Sequence, residues 1–110
     1  MRQGKDKLQG TLEMLVLRVL ASSGELHGCA ISDRIADISA DALRVEEGSL
    51  YPALHRMEEA GWVTSDWRAS DNNRRARFYS ITRRGRKRVD QVQRDWLAHV
   101  EAVTRVLKQA

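Results

Sequence analysis

At Trp62 the spacing of apolar side chains changes, and that change constrains the fold more than any other feature of the chain. Up to Met57 the apolar residues recur at helical intervals. From Val63 to Ala69 (VTSDWRA) and from Ala76 to Ile81 (ARFYSI) the period falls to about two, and β-branched and aromatic residues are frequent. Ser70-Asp71-Asn72-Asn73-Arg74-Arg75, between these runs, has a polar turn composition, so a β-hairpin is predicted. Thr82 is then a good N-cap, and the helical period returns from about Arg83 to Lys108.

Upstream of the change the chain reads as three helices. Thr11 to Ala21 (TLEMLVLRVLA) is apolar around most of its circumference and belongs at the centre of a core; Ser22-Ser23-Gly24 ends it. His27-Gly28 reads as a turn. Cys29 to Ser39 places Ile31, Ile35 and Ile38 on one helical face, with Ser32, Asp33, Arg34 and Asp37 on the wet side. Asp41 to Glu47 is a short connection, with a brief strand at Leu43-Arg44-Val45 as one option. The third helix carries Leu50, Leu54 and Met57 inward and is stopped by Gly61 acting as a left-handed C-terminal cap.

That third helix contains the chain's one proline. Proline has no N–H, and the first four N–H groups of a helix lack intrahelical partners, so Pro52 places the helix start near Gly48 or Ser49, with Ser49 as the cap. At 100° per residue, Pro52, His55, Arg56 and Glu59 cluster opposite the core face, with Ser49 and Tyr51 on the flanks. Donors occupy the first turns and acids (Glu58, Glu59) the last. Three helices followed by a hairpin form the winged helix-turn-helix order, a mainly α fold of the α+β class. A recognition helix of that fold enters the major groove N-terminus first, which suits this gradient. An ordinary surface helix is the competing reading.

Charge supports a polyanionic partner. The formal net charge is +4, but it is unevenly placed. From Arg68 to Arg88 nine basic residues face a single acid, Asp71, leaving this segment at +8 and the remainder at −4. Arg74, Arg75 and Arg77 lie at or beside the hairpin tip, where a projecting wing meets phosphates or a minor groove. Arg83, Arg84, Arg86, Lys87 and Arg88 fill the first turns of the last helix, against its dipole, which a nearby polyanion would offset. A plain solvated surface is the alternative for both clusters.

The last helix carries a long apolar stripe: Val89, Val92, Trp96, Val100, Val103 and Leu107, widened by Leu97 and Val106. A small domain cannot cover such a helix, so a second copy in a C2 dimer is the simplest partner; packing back onto the first helix is the other. The remaining chemistry is sparse. His27, His55, His99 and Cys29 have no metal-ligand spacing, and Cys29 reads as a small buried hydrophobe. There is no glycine-rich phosphate loop after a strand and no framed acid–base pair, so no catalytic residue, metal or cofactor is expected. No apolar run reaches the roughly 18 residues a membrane span needs. Met1 to Lys7 is not followed by a signal-peptide core, and one cysteine gives no internal disulfide; a cytoplasmic protein is expected.

The chain resembles the PadR family of bacterial transcriptional regulators, in its short subgroup with one C-terminal dimerisation helix. The resemblance rests on Gly10-Thr11-Leu12, His27-Gly28, Gly48-Ser49-Leu50-Tyr51-Pro52-Ala53-Leu54, Glu58-Glu59-Ala60-Gly61-Trp62 and Arg77 to Gly85, in this order and spacing. Cys29, where the family usually has an aromatic, and Phe78, in place of the commoner tyrosine, depart from it. The chain is expected to divide into an N-terminal arm (1–10), a winged helix-turn-helix domain (11–82) and a dimerisation helix (83–110). The resemblance implies a homodimeric repressor on inverted-repeat duplex DNA, with Ser49, Tyr51, Pro52, His55 and Arg56 at the DNA and the wing on its backbone. The apolar stripe Val89, Val92, Trp96, Val100, Val103 and Leu107 is expected to form the dimer interface. Some short members bind flat aromatic compounds between the paired last helices; Trp96 is the matching residue, with plain dimer packing as its other reading. The rival function is a winged-helix protein–protein adaptor, which would not require the arginine wing.

Overall fold

The structure, a computed structural model, describes residues 3–110. Its elements are α1 (Gln3–Ser23), β1 (Leu26–His27), α2 (Gly28–Ile38), α3 (Glu47–Glu59), β2 (Val63–Ala69), β3 (Arg75–Ile81) and α4 (Arg83–Gln109). The sheet is antiparallel with the order β1-β3-β2. Among the described residues, the core gathers Val16, Leu17 and Leu20 of α1, Ile31 and Ile35 of α2, Leu50, Leu54 and Met57 of α3, then Val63, Tyr79 and Val89. The winged helix-turn-helix order expected from the periodicity is the order observed, and α1 lies at the centre of the core.

Several local expectations change. Of the expected arm, Met1 and Arg2 lie outside the described residues; from Gln3 onward the backbone is already helical, so α1 begins well before Thr11. The third strand is not Leu43–Val45 but Leu26–His27, paired through Leu26↔Tyr79 and His27↔Phe78. His27 is therefore more than a turn residue. It ends β1 and caps α2, its Nδ1 accepting the Ala30 N–H at 3.2 Å, while its ring meets Phe78 edge-on at 5.4 Å. Ile38, expected on the core face, is the last residue of α2 and is 60% exposed, whereas Ile31 and Ile35 on the same face are buried. Cys29 is exposed rather than buried.

Pro52 does not mark the helix start as expected. The N-cap of α3 is Glu46, without a side-chain cap bond; the Ser49 and Leu50 N–H groups donate to its carbonyl at 3.0 and 2.9 Å. Ser49 thus sits inside the first turn, and Pro52 in the second. The donor that Pro52 lacks would have served the Gly48 carbonyl. Gly48 is an exposed residue. At the other end Gly61 acts as the expected stop. With φ 83° its N–H donates to Glu58 O and the Trp62 N–H to Met57 O, a Schellman closure.

The same closure ends α2 on a residue poorly suited to it. The Ala40 N–H donates to Asp37 O and the Asp41 N–H to Ala36 O, but the left-handed position is Ala40, at φ 52°. A left-handed L-residue costs about 1–2 kcal/mol, offset in part by glycine's freer unfolded chain. Ala40→Gly is expected to stabilise the protein by about 0.5–1 kcal/mol. Thermal denaturation checks this, and an unchanged or lower midpoint would contradict it.

Chain reversal into α4 also depends on one small residue. Thr82 Oγ1 donates to Gly61 O at 2.7 Å and accepts the Gly85 N–H at 3.0 Å, which makes it the expected N-cap. A Cβ on Gly85 would lie 2.1 Å from the Trp62 carbonyl oxygen, so only glycine lets α4 close onto the end of α3. Through this approach the β2–β3 hairpin, α3 and α4 share one joint.

Candidate nucleic-acid interface

The outer face of α3 is built as a shallow ridge. Leu50, Ala53, Leu54 and Met57 are buried beneath it, while Ser49, Tyr51, Pro52, His55 and Glu59 are exposed. Tyr51 does not stand straight out. Its ring lies against the start of α2, where a Cβ on Gly28 would come within 2.5 Å of the hydroxyl and 2.8 Å of the ring. The residue is still 41% exposed. Partial burial, then the neighbouring Cys29 and Glu47, raises the phenol above its usual value near 10, so it stays protonated and able to donate near neutrality. His55 Nε2 lies 3.5 Å from Glu59 Oε2 one turn further on, both well exposed.

Arg56, placed with the outward cluster by the wheel, is half-buried and turns toward α1. Its Nε donates to Glu13 Oε2 at 3.4 Å. Arg77 behaves similarly on the opposite flank. Its Nε donates to Ser65 Oγ at 2.8 Å and a terminal nitrogen reaches Glu58 Oε1 at 3.3 Å, while Ser65 Oγ also donates to Glu58 Oε2 at 2.9 Å. Arg77 is thus a brace between the wing and α3 rather than a free wing-tip cation. Glu58, one of the acids in the last turn of α3, is the residue that holds it.

The wing tip is closed by its own polar groups. The Ser70 N–H donates to Arg74 O, the Asn73 N–H to Ser70 O, and Asn73 takes the left-handed position at φ 63°. Asparagine tolerates that conformation better than most residues. The Arg74 side chain is exposed and has no partner among the described residues. Arg75 lies over Trp67 at 5.8 Å, and Arg77 at 5.9 Å from the same ring. Trp67, 54% exposed, is a site residue that helical and strand periodicity alone do not single out. The hairpin register does: Trp67 pairs with Arg77 and Ala69 with Arg75, so both arginines share its face. Between Trp67, Tyr51 and the start of α2 opens a cleft of about 420 Å³.

Of the basic cluster opening α4, Arg88 lies over Trp62 at 4.7 Å, and Arg84 is beside Gly61. Arg83, Arg86 and Lys87 are exposed and unpaired among the described residues. Arg68 is neutralised by Glu25 and Asp66 and stacks on Phe78. The +8 segment therefore divides into braced arginines (Arg68, Arg77) and cations free of carboxylates.

On α4 the apolar stripe also divides. Val89 is 1% exposed and belongs to the domain's own core, which corrects its assignment to a dimer interface; Val92 is half-buried against the same core. Beyond them Trp96, Val100, Val103 and Leu107 are 39%, 39%, 42% and 76% exposed. Trp96 closes one end of a groove of about 280 Å³ between α1 and α4, floored by Met14, Leu17 and Val92 and edged by Glu13 and Asp95. Among the described residues no cluster of His, Cys, Asp and Glu could hold a metal ion, and no helix is long and apolar enough to cross a membrane.

The chain matches the model of the transcriptional regulator PadR-like family over residues 16–91. It is similar to transcriptional regulator Rv3488 of Mycobacterium tuberculosis, 38% identical over 66 residues; the match covers 60% of this chain and 58% of that relative. Among solved structures, a transcriptional regulator from Clostridium thermocellum superposes with a TM-score of 0.80 at 25% identity, covering 91% of this chain and 96% of that one. A PadR family transcriptional regulator from Eggerthella lenta gives 0.78 at 27% identity, covering 98% and 92%.

Proposed function

The chain belongs to the PadR-like family of transcriptional regulators, and from that premise we propose that it is a cytoplasmic repressor that binds an inverted-repeat operator in duplex DNA as a homodimer. Its family is one of regulators rather than enzymes. The observation that carries the reading is the joint presentation of α3's outer face and a wing tipped with Arg74 and Arg75. Residues 11–82 form the DNA-binding unit and residues 83–110 the dimerisation helix, with Val89 assigned to the core. Tyr51, His55 and Arg56 face base edges, Ser49 and Pro52 line the approach, and the wing-tip arginines meet the backbone.

A division of labour between helix and wing tests this. Arg74→Ala with Arg75→Ala is expected to weaken selected and random duplexes about equally, with the salt slope falling by about 0.9 for each phosphate no longer neutralised. Tyr51→Phe keeps the ring on Gly28 but removes the hydroxyl. It is expected to lower discrimination between the same duplexes by about 0.5–1.5 kcal/mol per half-site. Fluorescence-anisotropy titrations measure both. If the wing pair abolished discrimination while Tyr51→Phe left it intact, the roles would be reversed.

The exposed stripe supports the dimer. A helix of 27 residues is about 40 Å long, and its second half leaves Trp96, Val100, Val103 and Leu107 39%, 39%, 42% and 76% exposed. Burying each such side chain is worth about 1.5–3 kcal/mol, which a partner helix would recover. The α1–α4 groove that Trp96 borders supports a flat aromatic inducer beside the proposed dimer seam. Quenching of tryptophan fluorescence by planar aromatic compounds, abolished in Trp96→Ala, is the expected result; quenching that persists in that variant places the compound elsewhere.

A further inference from the structure

Arg56 and Glu13 form a long-range ion pair that the DNA-binding reading does not use. Arg56 comes from the third turn of the recognition helix and Glu13 from α1, and the approach at 3.4 Å is made by Nε alone. The Glu13 side chain is the more enclosed of the two, 18% exposed against 39%. Guanidinium carries five N–H donors in one plane, and the Nε–H takes the carboxylate. The two terminal nitrogens, the edge that pairs bidentately with guanine, have no protein partner among the described residues. A free arginine loses considerable rotamer entropy when fixed on a base, whereas one anchored at Nε has already lost part of it.

We propose that Glu13 is a positioning residue for DNA recognition: it anchors Arg56 at Nε and so presents the terminal edge of the guanidinium for base contact. This rests on the DNA-binding reading above. Glu13 also forms part of the wall of the α1–α4 groove, so whatever fills that groove lies against the residue that orients Arg56. The two sites then share one carboxylate.

The test uses the full chain and two duplexes: one selected by the wild-type protein from a random pool, and one of scrambled sequence. Glu13→Ala is expected to lower the affinity ratio between them by about two- to tenfold per half-site, with binding to the scrambled duplex unchanged or slightly tighter because an acid has been removed. In an Arg56→Ala background the same change should leave the ratio unaltered. Glu13→Gln retains an acceptor for Nε and should retain most of the ratio; it also serves if Glu13→Ala fails to fold, as judged by circular dichroism. An unchanged ratio in folded Glu13→Ala would overturn the proposal. So would an equal loss in the Arg56→Ala background, which would mean that Glu13 acts by another route. If the pool yields no preferred sequence, it is the DNA-binding reading that fails, before Glu13 is tested.

Discussion

Raising the salt from 50 to 200 mM is expected to lower the affinity of the protein for duplex DNA by about 10³- to 10⁵-fold. The range follows from about six to ten phosphates neutralised by two protomers, each releasing condensed counterions. The cations able to do so are those the fold leaves free of carboxylates. Arg74 stands alone at the tip, Arg75 lies beside it, and Arg83, Arg86 and Lys87 are exposed at the start of α4. Arg68 and Arg77 are held by Glu25 and Glu58 and are expected to contribute less. Anisotropy titrations at four or five salt concentrations give the slope. A flat response would mean that the basic segment does not meet a polyanion, and the DNA-binding reading would give way to that of a protein–protein adaptor.

The second large effect is expected from Val100→Glu with Val103→Glu. Both side chains are substantially exposed within one chain, so the winged-helix domain should keep its fold. Facing a second copy, the added carboxylates of both protomers would be buried beside one another, a cost far above what the stripe recovers. Sedimentation at tens of micromolar is expected to show a dimer for the wild type and a monomer for the variant. Operator affinity is expected to fall about 10²- to 10⁴-fold, because the second half-site is no longer presented at high effective concentration. A wild-type monomer at that concentration would rule out the dimer. A variant that stays monomeric yet binds as tightly as the wild type would separate dimerisation from DNA binding.

Residue spacing disclosed the fold wherever one physical cause dominated. The switch of period at Trp62, Thr82 as a cap and Gly61 as a left-handed stop each follow from local rules, and the structure contains them. What spacing could not disclose was decided by neighbours distant in sequence. The two-residue strand β1 exists because Tyr79 and Phe78 supply its ladder. Pro52 sits in the second turn because α3 starts at Glu47, earlier than an orphan N–H at Pro52 would require. Val89 and Leu107 belong to one stripe and differ for the same reason: Val89 lies over the domain core, whereas Leu107 lies past its end. The candidate site shows the same limit. A helical wheel put Arg56 on the outer face but could not show Glu13 drawing it sideways, and hairpin composition put Arg77 near the tip without showing Glu58 bracing it.

Whether the protein reads an inverted repeat as a dimer can be decided by recovering the sequences that the purified wild-type protein selects from a pool of random duplexes. The expected product is an inverted repeat whose half-sites lie about one helical turn apart, as two α3 helices in a C2 dimer require. Recovery of unrelated sequences with no common element, or of none above background at low salt, would contradict it.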